Sequence, residues 1–160
     1  MRGSKKMANK ALIVIFPAVF MFLLYCGCGL ETYQQVPILA SPLGVTAVNN
    51  TPGQILVQFW GENDEFFFSG YYIYMALNEN DLLTGGGMPV LNTDGRAGKP
   101  TIYNLTPMTS AQQFSFIITS YTNNSPLSVG TTYYFDVKAY SAEYNIYSYS
   151  SGITNVIVTQ

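Results

Sequence analysis

Histidine is absent from this 160-residue chain. Its absence removes the commonest general base and the commonest zinc ligand. Cysteine occurs only twice, as Cys26 and Cys28, and no further Cys or His is available to complete a coordination shell around that C-x-C pair. The expectation is therefore no metal and no cofactor. Charge is scarce, at 10% of residues, and four of the seven cations (Arg2, Lys5, Lys6, Lys10) come before residue 11. From Cys28 onward, three cations (Arg96, Lys99, Lys138) stand against nine acids, a net charge of −6. Such a body cannot neutralise a phosphate backbone, which excludes nucleic acid as a partner. Long apolar runs are also missing. The longest, residues 11–24, holds 14 residues including Pro17, and a spanning helix needs about 20.

What is present divides at residue 28. Lys5, Lys6 and Lys10 form a basic start, residues 11–24 an apolar middle, and small residues follow. That order is the layout of a secretory signal. Gly27-Cys28-Gly29 after a Leu-rich segment resembles the lipobox of a bacterial lipoprotein signal peptide. The resemblance implies cleavage after residue 27 and lipid on Cys28. Tyr25 departs from it, since Leu is usual three residues before the acceptor. Cys26 is the alternative acceptor, with Leu23 at the right distance, but Tyr25 would then occupy the cleaved position. An ordinary secretory signal cut elsewhere is the remaining alternative. Two or more acyl chains anchor a protein stably where one does not. The expected division is a leader at 1–27, a lipidated Cys and tether at 28–41, and one domain at 42–160. Gly29, rather than Asp, follows the acceptor, and in many two-membrane bacteria that permits export to the outer membrane.

Aromatics are abundant, with 13 Tyr and 10 Phe, and they favour strands. Short apolar runs at 45–48, 55–60, 71–76, 114–121, 132–140 and 153–159 are separated by turn residues, such as Asn49 to Gly53. This spacing predicts an all-β sandwich or barrel. In the second run, Ile55, Val57 and Phe59 alternate as a clean apolar face. The opposite register would bury Gln58, and an unpaired buried amide costs a few kcal/mol. Phe59 is therefore expected inside and Trp60 at the loop edge.

Pro42-x-x-Val45-x-Ala47, Gly70-Tyr71-x-Ile73-Tyr74 and Leu127-x-x-Gly130-Thr-x-Tyr133-x-Phe135-x-Val137-x-Ala139 resemble, in order, segments of a fibronectin type III domain. A generic immunoglobulin-like sandwich is the close competitor. The resemblance implies about seven strands and a tyrosine corner at Tyr133, its hydroxyl bonded to nearby backbone. Residues 77–113 exceed the usual connection, so an insertion is expected there. It should hold a helical turn near 77–82, strand fragments at 88–91 and 101–103, and a turn at 92–95. Val57, Phe59, Tyr71, Ile73, Phe116, Ile118, Tyr133, Phe135, Val137 and Ala139 are the expected inward residues.

No catalytic constellation emerges. Glu62, Asp64 and Glu65 form the densest acidic cluster, without the glycine and ligand spacing of a calcium loop. A solvated loop is expected, and no enzyme. The better candidate is a surface. The type III resemblance puts the loops at 61–70 and 141–152 at one end of the sandwich. Rigid rings beside Ser, Gly and Asn make adaptable binding loops. Trp60, Phe66, Tyr144, Tyr147 and Tyr149 are the candidate partner-binding residues, while Phe67 or Phe68 is expected to pack as part of the third strand. The expected function is a lipid-anchored, non-catalytic binding or adhesion module for a protein or glycan. The alternative is a structural or assembly component of the envelope.

Overall fold

The computed structural model describes residues 37–91, 98–104, 106–121 and 125–160. The leader, Cys26, Cys28 and the expected turn at 92–95 lie outside the described residues. Two antiparallel sheets form an immunoglobulin-like sandwich. The first holds β1 (Leu43–Thr51), β2 (Gln54–Gly61) and β6 (Gln112–Ile118), in the order β1-β2-β6. The second is centred on β3 (Gly70–Ala76) and β7 (Thr132–Ser141). Its margins are broken into short pieces. β4 (Met88–Pro89) and β5 (Ile102–Tyr103) lie along β3, while β8 (Ile146–Tyr147) and β9 (Thr154–Ile157) lie along β7.

Alternation decides which residues face the core. Ile55, Val57 and Phe59 are fully buried, and Trp60 is 47% exposed. From the second sheet, Tyr71, Ile73, Phe135, Val137 and Ala139 meet them, with Tyr133 of the same sheet and Ile118 of β6 almost as deep. Burying side chains of this size contributes about 1.5–3 kcal/mol each. Phe116 faces the core as expected and packs against it, without being sealed inside. It lies on the core face opposite Val57 but is only half-buried, as is Phe114 opposite Phe59. Among the described residues, both sit on the outermost strand of their sheet, with a neighbour on one side only. The Tyr133 hydroxyl accepts the Ser128 N–H at 3.0 Å, which closes the corner between loop and strand.

The insertion is structured. A short helix, α1 (Glu79–Leu83), starts at Asn78, whose side chain accepts the Asp81 N–H at 3.0 Å and caps the first turn. Leu82 is its buried anchor. Between β4 and β5 the margin of β3 is completed by a side chain. The Thr101 hydroxyl accepts the Ile73 N–H (3.0 Å) and donates to the Val90 carbonyl (2.7 Å). The gap between β8 and β9 is filled the same way. Ser148 and Ser151 hydroxyls accept the N–H groups of Ala139 and Val137, each at 3.0 Å. Hydroxyls thus stand in for the missing ladder partners of two buried strands, whose unpaired amides would otherwise be costly.

The packed body also takes in residues before Pro42. Leu39 is 2% exposed and belongs to the core. The Ala40 N–H donates to Glu65 Oε1 (2.7 Å), and the Ala40 carbonyl accepts Asn63 Nδ2 (3.0 Å). Ser41 Oγ donates to the Tyr149 carbonyl at 3.1 Å.

Candidate functional site

The loops at 62–69 and 142–145 do meet. Ser69 N–H donates to the Tyr140 carbonyl (2.8 Å), and Ser69 Oγ accepts the Ala142 N–H (2.9 Å). Phe67 is the hub of this end. Its ring meets Phe66 (5.1 Å) and Tyr144 (5.2 Å) edge to face. Phe66 is 75% exposed, and Tyr144 is exposed beside it. Phe68 is buried against Tyr71, but it packs from the loop, because β3 begins only at Gly70. The end of the sandwich thus presents a small aromatic patch on a buried footing.

The acidic cluster splits by role. Glu62 and Asp64 are exposed. Glu65 is structural: it holds Ala40 and accepts Asn63 Nδ2 at 3.0 Å. Asn63, 1% exposed, accepts the Tyr71 hydroxyl at 2.7 Å. Among the described residues, no group of three or more His, Cys, Asp or Glu is placed to hold a metal ion.

The structure divides the remaining candidates. Trp60 stands on the outer face of the first sheet, between Leu43 and Gln113. Tyr149 is 78% exposed, and its carbonyl takes the Ser41 and Ser148 hydroxyls. Tyr147 belongs elsewhere. It sits on β8, opposite Tyr140, on the outer face of the second sheet. There its ring meets Tyr140 (4.8 Å), Tyr72 (5.6 Å) and Tyr74 (6.4 Å). Tyr72 also meets Tyr140 at 5.1 Å. Aromatic pairs of this kind contribute about 0.5–1.5 kcal/mol each beyond area burial. They explain why Tyr72 is buried although it points away from the core.

Beside these rings lies a cleft of about 120 Å³, lined by Tyr74, Tyr147, Asp136, Lys138, Leu82, Gly85 and Gly87. Asp136 is 2% exposed. Its Oδ1 accepts Ser150 Oγ (2.8 Å), Ser151 N–H (3.1 Å) and Ser151 Oγ (3.2 Å). Its Oδ2 is 3.7 Å from Lys138 Nζ, a loose ion pair. Lys138 Nζ also lies 5.5 Å from the centre of the Tyr74 ring. A loosely held ammonium, a buried carboxylate and two tyrosine rings thus share one opening. Sequence reasoning missed this cluster, although a signal was there. β3 carries Tyr72 and Tyr74 on the face opposite its core residues, and β7 carries Tyr134, Asp136, Lys138 and Tyr140 on the same side. Strands with rings on both faces announce a covered outer face.

Burial pushes the Tyr71 and Tyr74 hydroxyls well above the ordinary tyrosine value of 10.0; Glu65 adds to the first shift and Tyr147 to the second. The folded state therefore favours the neutral rings. Their contribution to stability is complete below about pH 10 and is lost as pH rises toward the folded values. An alkaline absorbance titration should show these two rings ionising only as the far-ultraviolet dichroism of the fold is lost. Ionisation of all tyrosines near the ordinary value, with the fold intact, would contradict the described burial.

No protein-family model matches the chain, and no curated protein matches it either.

Proposed function

We propose that the chain is a lipid-anchored protein of the bacterial cell envelope, held at the outer membrane through Cys28, and that it works as a non-catalytic binding module for a protein or glycan. The observation that carries this is the tyrosine face with its cleft. Tyr74, Tyr147, Lys138 and Asp136 combine flat apolar surface with a donor and an acceptor at one opening. Binding sites are commonly built so: mostly ring surface, with a few placed polar groups. Tyrosine rings with polar tips supply contact area at low entropic cost. The Phe66–Phe67–Tyr144 patch offers a second, smaller contact.

Two features support a fibronectin type III-like module. Tyr133 makes the corner bond to the Ser128 amide. In a constant-type immunoglobulin domain the fourth strand joins the first sheet, whereas β4 and β5 here pair with β3 in the second.

The test compares capture of envelope proteins and glycans by the full chain in three forms. These are wild type, a face variant (Tyr74→Ser with Tyr147→Ser) and an end variant (Phe66→Ser with Tyr144→Ser). The face variant should bind roughly tenfold more weakly or worse, as expected for buried aromatic anchors, and the end variant should lose less. Equal capture by all three would overturn the reading. In the same preparations, Cys28→Ser should abolish labelled fatty-acid uptake and membrane partitioning. Uptake that persists would move the anchor to Cys26. The alternative, a structural or assembly component of the envelope, is favoured by one observation of a different kind, the open margin of β6.

A further inference from the structure

Three of the four lateral margins of the sandwich are blunted. β1 carries two register breaks. It is also clasped to the C-terminal segment: Asn49 Nδ2 donates to the Ile157 carbonyl (2.7 Å), and Asn49 Oδ1 accepts the Thr159 N–H (3.2 Å). The margins beside β3 and β7 are short fragments joined by threonine and serine hydroxyls, with Pro89 in one of them. Natural sheets protect exposed edges with such devices.

β6 has none of them. Seven consecutive residues pair with β2 without a break, and no described strand pairs with its other side. The strand holds no Pro, no Gly and no charge, and no charged residue occurs between Lys99 and Asp136. Phe114 and Phe116 are half-buried, whereas their β2 partners Phe59 and Val57 are fully buried. The difference is the missing neighbour. Ile117, on the outer face, is 49% exposed. Strands of this composition with unpaired backbone groups take up another strand readily.

We propose that β6 pairs antiparallel with β6 of a second copy of this chain, about a two-fold axis through Ser115. The sequence Gln112-Gln-Phe-Ser-Phe-Ile-Ile118 is self-complementary in this register. Phe114 falls opposite Phe116, Gln113 opposite Ile117 and Gln112 opposite Ile118, so inner residues meet inner and outer meet outer. The two three-stranded sheets become one of six strands, and each half-buried ring gains the aromatic neighbour that its side of the core lacks. Charge does not bar this occupant: from Cys28 onward the chain carries −6 and repels its own kind, but β6 lies within residues 100–135, which hold no charged residue. A two-fold contact of this sort is closed and does not propagate into a fibre.

The test uses the full chain with Cys26→Ser and Cys28→Ser, so that an added thiol is the only one and lipid plays no part. Facing residues of antiparallel strands have Cα atoms about 4.5–5.5 Å apart, within disulfide reach. Ser115→Cys should therefore give a disulfide-linked dimer under mild oxidation. Gln113→Cys lies four residues from its own mate, about 13 Å along the strand, and should give roughly tenfold less. Ser115 is exposed, so Ser115→Lys should leave the circular dichroism unchanged while sedimentation falls from dimer to monomer mass. Three results would overturn the proposal: a wild-type chain that is monomeric at every concentration, equal crosslinking by the two cysteine variants, or a folded Ser115→Lys chain that remains dimeric. A β6 edge that accepts only a foreign strand would give the first of these.

Discussion

Tyr71→Ala is expected to lower folding stability by about 3–5 kcal/mol, the range for removing a large ring from a packed core. The residue is fully buried. Its ring lies 4.9 Å from both Phe59 and Phe68 and 5.1 Å from Phe114. Its hydroxyl supplies the donor for Asn63 Oδ1 at 2.7 Å, and Asn63 in turn holds Ala40 and Glu65. Tyr71→Phe separates the two contributions. It keeps the ring and strands a buried acceptor, which costs about 1–3 kcal/mol. Urea unfolding should show the midpoint falling in both variants, and further for Ala, with an unchanged slope. Equal losses would show that the ring contributes nothing beyond its hydroxyl. The same crowding explains Gly61, where a Cβ would collide with the Tyr71 hydroxyl. A glycine is the only residue that lets β2 pass this ring.

Asp136→Ala should cost about 3 kcal/mol, because it removes the acceptor of three hydrogen bonds and the partner of Lys138 together. The carboxylate organises the segment between β8 and β9. Without it, Ser150 and Ser151 lose their anchor, and the Ser151 hydroxyl no longer stays fixed under the Val137 amide. Hydrogen exchange at Val137 and Ser151 should accelerate together. Asp136→Asn retains Oδ1 as an acceptor and should lose about 1 kcal/mol, with slower exchange than the Ala variant. Identical exchange in both variants would show that the segment is held by its neighbours instead.

Much of the fold was legible because alternation is a local property. Placing Phe59 inside and Trp60 outside needed only the cost of burying Gln58. The Tyr133 corner and the helical turn near residue 80 likewise follow from short stretches. What escaped was set by partners distant in sequence. Phe116 has the right face, but its exposure depends on β6 being the last strand of its sheet. Leu39 lies in a Pro-flanked segment without periodicity, and only Asn63 and Glu65, more than 20 positions on, show why it stays with the core. Tyr147 reads as a loop residue until β8 is paired with Tyr140. Asp136 looks like any strand acid on an outer face. Serines 14 and 15 residues downstream make its burial tolerable.

The clasp at Ala40 has a mechanical meaning. The chain enters the body there, so any pull from the N-terminal side reaches Leu39 and the two Ala40 bonds before it reaches β1. Both bonds belong to the loop at 62–69, so the load passes into that loop and on through Asn63 to Tyr71, at the centre of the core. β1 itself would then be spared until the clasp gives way. The body of this protein should yield in two steps under tension, with a short extension of the entry segment preceding the loss of the sandwich.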